Sequence, residues 1–233
     1  TVSLTINVGN AAPTSVTVPK YHVFRSTSVD SNGSETQYDF MTYDDVVVRK
    51  DEGGAYVSSN VEIYEGRLVR EVFVVNSSSR YVLQSSNVDV ESIRVNVQSS
   101  NVDFSNSDFT RSYNLYGVES SDEVFFIQGA YDGRYEVTFG DGVVGASPEF
   151  GNLVKVTYRD TLGSPANGIR RFSSDAQVEG YDVSAVDTIT SAYGGAEKES
   201  VESIRFHAPR HFTTQERAVV KSDFENIIRA KFP

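Results

Sequence analysis

The sequence has no cysteine, no tryptophan and only one methionine among its 233 residues. Without cysteine, neither a disulfide scaffold nor a thiolate-held zinc or iron–sulfur site is possible. The sequence also lacks an apolar run near the roughly 20 residues with which a helix crosses a bilayer. No basic and apolar leader opens the chain, so no signal peptide is visible. We therefore predict no disulfides, no thiolate metal centre and no membrane partner.

Basic residues are in the minority. There are 21 Lys and Arg against 32 Asp and Glu, which gives a net charge of −11. A protein that binds duplex nucleic acid needs clustered cations to neutralise phosphates, and here the cations are scattered. We therefore predict no nucleic-acid partner. Because strand-like alternation starts at Thr1 and a helix-like segment stops at Pro233, we expect a piece of a longer protein.

Period-two alternation of apolar side chains dominates the chain. Val2, Leu4, Ile6 and Val8 alternate with polar residues, and the same pattern recurs further along. Dipeptides that favour tight hairpin turns separate these segments, at Asn32-Gly33, Asp132-Gly133, Asp141-Gly142 and Asn167-Gly168. The pattern predicts a mainly β protein of the α+β class, with antiparallel, β-sandwich-like units.

The pattern becomes helical after Ala192. Apolar residues recur at helical spacing in 199–208, and Pro209 is expected to end or kink this first helix. A second short helix is expected near the C-terminus, where Ser222 and Glu225 form a capping box. Two short C-terminal helices are therefore predicted.

Two motifs suggest ligand chemistry but lack its context. Gly140–Gly145 matches G-x-G-x-x-G, yet the helix that a dinucleotide site needs does not follow it. His207 and His211 have the spacing of two metal ligands on one helical face, but Pro209 lies between them. We predict a tight turn at the first motif, surface or interface histidines at the second, and no cofactor or metal.

Catalytic patterns are weak. Adjacent carboxylates occur at Asp44-Asp45, Asp51-Glu52 and Asp122-Glu123, whereas glycoside hydrolysis needs carboxylates that face each other across a cleft. No G-x-S-x-G nucleophile motif is present. We predict that the chain is not an enzyme. Two alternatives stay open: a glycan- or receptor-binding β module, and a hydrolase.

Several phrases, in order along the chain, resemble the baseplate J-like family, which includes baseplate wedge subunits of contractile-tailed phages. They lie at 16–40, 135–145, 151–168, 194–210 and 217–225. Within 194–210, Glu202-Ser-Ile-Arg-Phe-His-Ala-Pro209 is most similar to T-even-type wedge subunits of the baseplate's inner ring. The family commonly has Gly near Tyr21 and often Thr at Val220, so we expect the first turn to differ and the last helix to start at Ser222.

The resemblance implies a structural component of a virion tail baseplate, assembled in the host cytoplasm. Its expected partners are copies of itself, as a homodimer, and other wedge proteins, with wedges joined into a ring. It also implies a β domain at 75–158 inserted into an outer domain of residues 1–74 and 159–233. Residues expected in structural turns are Gly140, Asp141, Gly142, Gly145, Asn167, Gly168, Gly194 and Gly195. Residues expected at a subunit interface, because they group bulky and basic side chains, are Arg205, Phe206, His207, Arg210 and Phe212.

Overall fold

A computed structural model describes residues 1–8, 13–29, 32–77 and 80–214, together with residues 221 and 224. Of residues 131, 207 and 210–214 it describes the backbone alone. The strands are β1 (Val2–Asn7), β2 (Ser15–Val18), β3 (Val23–Val29), β4 (Glu35–Met41), β5 (Val46–Arg49), β6 (Tyr56–Val61), β7 (Tyr64–Glu65), β8 (Arg67–Val74), β9 (Tyr81–Val82), β10 (Val88–Gln98), β11 (Asn106–Arg111), β12 (Val124–Gly129), β13 (Tyr135–Phe139), β14 (Leu153–Asp160) and β15 (Asp182–Thr188). The α-helix is α1 (Val201–Thr214), and single 3-10 turns span Tyr131–Gly133 and Ser164–Ala166. The predicted mainly β fold class is confirmed.

The chain forms two compact units, Thr1–Gly195 and Ala196–Pro233. Among the described residues, all fifteen strands lie in the first unit, and α1 lies in the second. Within the first unit the buried apolar side chains form two separate clusters. Each cluster is formed by side chains from a different set of strands.

Three small sheets surround the first apolar cluster. Their strand orders are β15-β1-β6, β2-β5 and β3-β4-β7. Strand β1 lies between two antiparallel neighbours, and its register pairs Leu4 with Val186 on one side and Ser58 on the other. Val2, Leu4 and Ile6 are buried in the cluster because successive strand side chains alternate between the two faces of a sheet.

The second cluster is enclosed by one sheet of seven strands, in the order β8-β14-β10-β11-β12-β13-β9. Its neighbouring strands are antiparallel except for β11 and β12, which pair in parallel. Phe73 of β8 and Tyr81 of β9 meet edge to face, with ring centroids 5.7 Å apart. Since β8 and β9 are the outermost strands, the sheet rolls until its two edges approach each other.

The chain passes from one cluster to the other at Gly66. An added Cβ at Gly66 would lie 3.1 Å from the carbonyl oxygen of Asp160 and 3.0 Å from Thr161 Cγ2. The outgoing and returning segments therefore run against each other at this point. Strand β8, which follows Gly66, pairs with β14 along its whole length, from Arg67 opposite Asp160 to Val74 opposite Leu153.

Helix α1 begins at Val201 because Ser200 caps it. The Ser203 backbone N–H donates to Ser200 Oγ at 3.2 Å, which is the usual N-cap interaction. Pro209 lies inside the helix, which continues to Thr214, so of the two expected effects of Pro209, an end or a kink, the end is wrong. The helix continues because a proline forfeits one backbone hydrogen bond without making the next turn impossible. The second expected helix, with Ser222 and Glu225, lies outside the described residues.

Candidate interaction surfaces

The loop after β13 holds the Gly140–Gly145 motif and closes on itself. The Gly142 N–H donates to the Gly145 carbonyl oxygen at 3.0 Å. A Cβ at Gly140 would lie 2.2 Å from that same oxygen, so only glycine fits there without a shift of the backbone. Gly142 and Gly145 have φ of 84° and 80°, in the left-handed region that favours glycine.

Asp141 uses the backbone donors of this loop internally. Its Oδ1 accepts the N–H groups of Val143 and Val144, both at 2.9 Å. These backbone hydrogen bonds lower the pKa of the Asp141 carboxyl, since they stabilise its charged form. The loop leads into β14 and not into a helix. Donors that would hold a phosphate are therefore occupied, and the loop has the geometry of a structural turn.

Asn167 joins the turn after β14 to the end of the first unit. Its Nδ2 donates to the Gly195 carbonyl oxygen at 2.8 Å, and its Oδ1 accepts the Gly195 N–H at 2.9 Å. The adjacent Gly168 N–H donates to the Ala192 carbonyl oxygen at 2.8 Å. A Cβ at Gly195 would lie 2.4 Å from the Gly163 carbonyl oxygen. The side-chain amide thus pairs like a short strand and fixes Gly195 in place.

A cluster of tyrosines and arginines, absent from the sequence predictions, connects the two apolar regions of the first unit. The guanidinium of Arg94 lies 4.6 Å from the ring centroid of Tyr43. The guanidinium of Arg159 lies 4.8 Å from the ring centroid of Tyr64. The two tyrosine rings meet edge to face at 6.0 Å. Cation–π contacts of this kind contribute about 0.5–2 kcal/mol each, depending on how dry they are.

Arg159 is the most buried member of this cluster. Its Nη2 donates to Asp89, and its Nη1 donates to the Glu65 carbonyl oxygen at 3.2 Å. Its backbone N–H donates to Ser92 Oγ at 2.9 Å. In the sequence, Arg159 is visible only as a cation that directly follows the apolar alternation of 153–158. That signal does not identify its distant partners. The structure brings together residues that are up to 94 positions apart.

The adjacent carboxylates support turns. Asp45 Oδ1 accepts the Lys20 N–H at 2.7 Å, and Asp51 Oδ1 accepts the Ala55 N–H at 2.7 Å. Asp122 Oδ2 accepts the Glu119 N–H at 2.9 Å. Each of these oxygens accepts a backbone N–H, from a residue 25 positions away for Asp45 and from within the same turn for Asp51 and Asp122. The structure assigns these three carboxylates to loop geometry.

Helix α1 carries the candidate interface residues. Val201 and Ile204 are 59% and 46% exposed, although both are apolar, and Phe206 is 57% exposed. Arg205 lies beside them on the same helix and is exposed. The side chains of His207, Arg210, His211 and Phe212 lie outside the described residues. Across the side chains that the structure describes, no group of three or more His, Cys, Asp or Glu could hold a metal ion.

No family model matches the sequence. The chain is similar to the baseplate wedge protein gp6 of Enterobacteria phage T4, with 22% identity over 239 aligned residues. The chain resembles a phage baseplate wedge protein. The resemblance predicted from the sequence is thereby confirmed. The match covers 93% of this chain and 35% of the phage protein, so the chain spans about a third of that relative's length.

Membrane insertion through a helix has no support in the part of the chain that the structure covers. None of its described helices has both the length and the apolar composition needed to span a bilayer.

Proposed function

We propose that this chain is a non-catalytic structural part of a contractile phage tail baseplate. The observation that carries the proposal is the similarity to a baseplate wedge protein along nearly the whole chain. In this role the chain self-associates as a homodimer and contacts other wedge proteins, and it joins wedges into the baseplate ring. It is assembled in the host cytoplasm and resides in the virion.

A structural part of this kind must transmit force without unfolding locally. Two features of the first unit support the role. Each of its two apolar clusters is enclosed by sheets, and the Tyr43, Tyr64, Arg94 and Arg159 cluster ties one to the other. The turn at Asn167 is closed by two hydrogen bonds from its side-chain amide to the backbone of Gly195. Rigid elements present a surface to a partner at little entropic cost.

We also propose a division of the first unit into an outer domain and an inserted domain. The exchange point is Gly66, where the outgoing chain touches Asp160 and Thr161 of the returning chain. Strand β8 then falls in the insert, because it pairs with β14 and packs on the second cluster through Val69 and Phe73. The insert would thus run from about residue 66 to about residue 161, a wider span than the 75–158 expected from the sequence.

Helix α1 is the proposed site of self-association. Val201 and Ile204 stand three residues apart, which places them on one face of the helix. Neighbouring apolar side chains that are about half exposed lose water favourably when a second copy covers them. Arg205 next to this face supplies a group that is enriched at protein interfaces.

The test is the oligomeric state of Ile204→Asp, measured by light scattering and sedimentation. We expect the parent chain to form a dimer and the variant to weaken that dimer by about tenfold or more, as for a central interface residue. Val47→Asp is the matched control, because Val47 is an exposed valine, at 53%, on strand β5. A parent chain that stays monomeric at high concentration, or a dimer that tolerates Ile204→Asp, would contradict self-association through α1.

A further inference from the structure

A groove of about 840 Å³ lies beside the rolled sheet. Its floor is formed by β8, β14, β10 and β11, and its rim includes the turns that carry Tyr21 and Tyr43. None of the functions discussed above uses it. Its chemistry differs from that of the acidic chain around it.

The strand register sets cations side by side on the groove floor. Arg70 of β8 pairs with Thr157 of β14, which in turn pairs with Arg94 of β10. One step along the face, Lys155 of β14 lies opposite Val72 of β8. Neighbouring strands are spaced about 4.8 Å apart, so the Cα atoms of Arg70 and Arg94, on either side of β14, lie about 10 Å from each other. Val72, which is 58% exposed, adds an apolar spot beside them.

Three of the four acidic side chains of the groove, those of Glu71, Glu91 and Asp108, accept hydrogen bonds within the chain, and the fourth belongs to Asp44. Glu71 Oε1 accepts the Tyr158 hydroxyl at 2.5 Å and the Gln84 N–H at 2.9 Å. Glu91 Oε1 accepts from Arg111 at 2.8 Å, and its Oε2 accepts from Tyr113 at 3.0 Å.

Asp108 is engaged as well, because its Oδ1 accepts from Asn96 Nδ2 at 2.9 Å. These three carboxylates are therefore held by groups of the same chain. Of these three, Glu91 is also in an ion pair, with Arg111.

The cations of the floor, in contrast, have no acidic partner. Among the described residues, none of the ion pairs involves Arg70, Arg94 or Lys155. Arg94 stacks on Tyr43, and Lys155 donates to the neutral amide of Gln98. The lining of the groove holds five cations and four carboxylates, so a chain with a net charge of −11 has one concave face on which cations are in the majority. Such a face attracts negative charge.

We propose that this groove binds an extended acidic segment of a partner protein. Carboxylates of that segment pair with Arg70, Arg94 and Lys155, and an apolar side chain between them covers Val72. Residues three apart in an extended segment of polyproline II form point the same way and lie about 9 Å apart, because that helix has three residues per turn and rises about 3.1 Å per residue. This spacing is close to the separation of the two arginines. The favoured segment therefore has acidic residues at every third position with an apolar residue between them.

Two other ligand classes fit the groove less well. Nucleic acid requires a continuous run of cations, whereas Asp44, Glu91 and Asp108 interrupt this one. A sugar requires an open aromatic face, but Arg94 covers a face of Tyr43 and Arg111 lies 4.3 Å from the ring centroid of Tyr113. An acidic peptide needs neither feature.

The test uses the whole chain and fluorescently labelled peptides in a polarisation titration at low salt. The probe is Glu-Glu-Leu-Glu-Glu-Leu-Glu, and the matched probe replaces every Glu by Gln. Labelled single-stranded DNA of the same net charge forms the third arm. The variant is Arg70→Glu combined with Arg94→Glu. The control is Arg49→Glu, which changes an exposed arginine of β5 outside the groove.

We expect the acidic probe to bind. The double variant should lower the affinity for that probe by about tenfold, because it loses two ion pairs that contribute roughly threefold each. Arg49→Glu should leave the affinity within about twofold, and added salt should weaken binding. Circular dichroism melting shows whether each variant is folded. The proposal is overturned by no binding of the acidic probe, by equal binding of the Gln probe, by preference for DNA, or by a folded double variant with unchanged affinity.

Discussion

Gly140→Ala is the substitution whose effect the structure defines most sharply. The new Cβ would lie 2.2 Å from the Gly145 carbonyl oxygen and 2.3 Å from that of Val144. Ordinary contact begins at 3.4 Å, so the two backbone segments must separate by about 3.4 − 2.2 = 1.2 Å. Since both obstacles are backbone atoms, no side-chain rotation relieves the clash.

The separation has a calculable cost. It breaks the hydrogen bond from Gly142 to Gly145 and weakens the one from Gly145 to Glu119, both 3.0 Å long. Two such bonds contribute about 1–3 kcal/mol together, and overpacking adds about 1–3 kcal/mol. We expect Gly140→Ala to lower the free energy of unfolding by about 3 kcal/mol. For a domain of this size that corresponds to a fall in Tm of about 6–12 °C.

Two neighbouring glycines supply controls for this prediction. An added Cβ at Gly129 meets nothing within 4 Å and its backbone is not left-handed, so Gly129→Ala should be nearly neutral. Gly142 has equally open space but a φ of 84°, so Gly142→Ala should cost about 1 kcal/mol. Circular dichroism during urea and thermal unfolding measures all three, since the chain lacks tryptophan. A Gly140→Ala variant as stable as Gly129→Ala would refute the reasoning.

Three other predictions concern separate parts of the first unit. Asn167→Ala removes both hydrogen bonds to Gly195. We therefore expect faster hydrogen exchange of the Gly195 amide, with a loss of about 1–2 kcal/mol in local stability. Unchanged protection of that amide would show that the Asn167 side chain is dispensable. Burial lowers the pKa of His22 below its ordinary value, so the unfolded chain binds the proton more readily and stability should fall as pH drops below about 6.5. His22→Gln should flatten that pH dependence of the urea midpoint, and an equal slope in both proteins would count against it. Tyr21 has a φ of 66°, so Tyr21→Gly should be about 1 kcal/mol more stable than Tyr21→Ala in urea unfolding, and an equal stability of the two would argue against backbone strain.

Local patterns were sufficient to predict the mainly β class of the first unit and several of its turns. Alternation placed Val2, Leu4 and Ile6 in the core, because side chains at every second position of a strand lie on the same face. Turn chemistry pointed to the loops at Asp132-Gly133 and Asp141-Gly142, where positive φ is needed. These properties depend on neighbouring residues alone, so they are visible without the fold.

Long-range contacts could not be predicted in the same way. The parallel pairing of β11 with β12 and the contact of Phe73 with Tyr81 depend on how the sheet rolls. The continuation of α1 through Pro209 is also a departure from local preference. Arg159 is a buried cation whose partners lie far away in sequence, so its role becomes visible only when the strands are assembled.

Tyr21 links backbone strain to the proposed groove. It occupies a left-handed conformation that costs a non-glycine residue about 1–2 kcal/mol. Its N–H donates to the Thr42 carbonyl oxygen at 2.8 Å, which holds the turn in place. Its side chain lies on the rim of the groove beside Lys20. Strained residues persist where the surrounding structure holds them, and they cluster at functional sites. On this reasoning, an aromatic ring at the rim is a feature of the binding surface, and Tyr21→Gly should stabilise the turn relative to alanine while removing a wall of the groove.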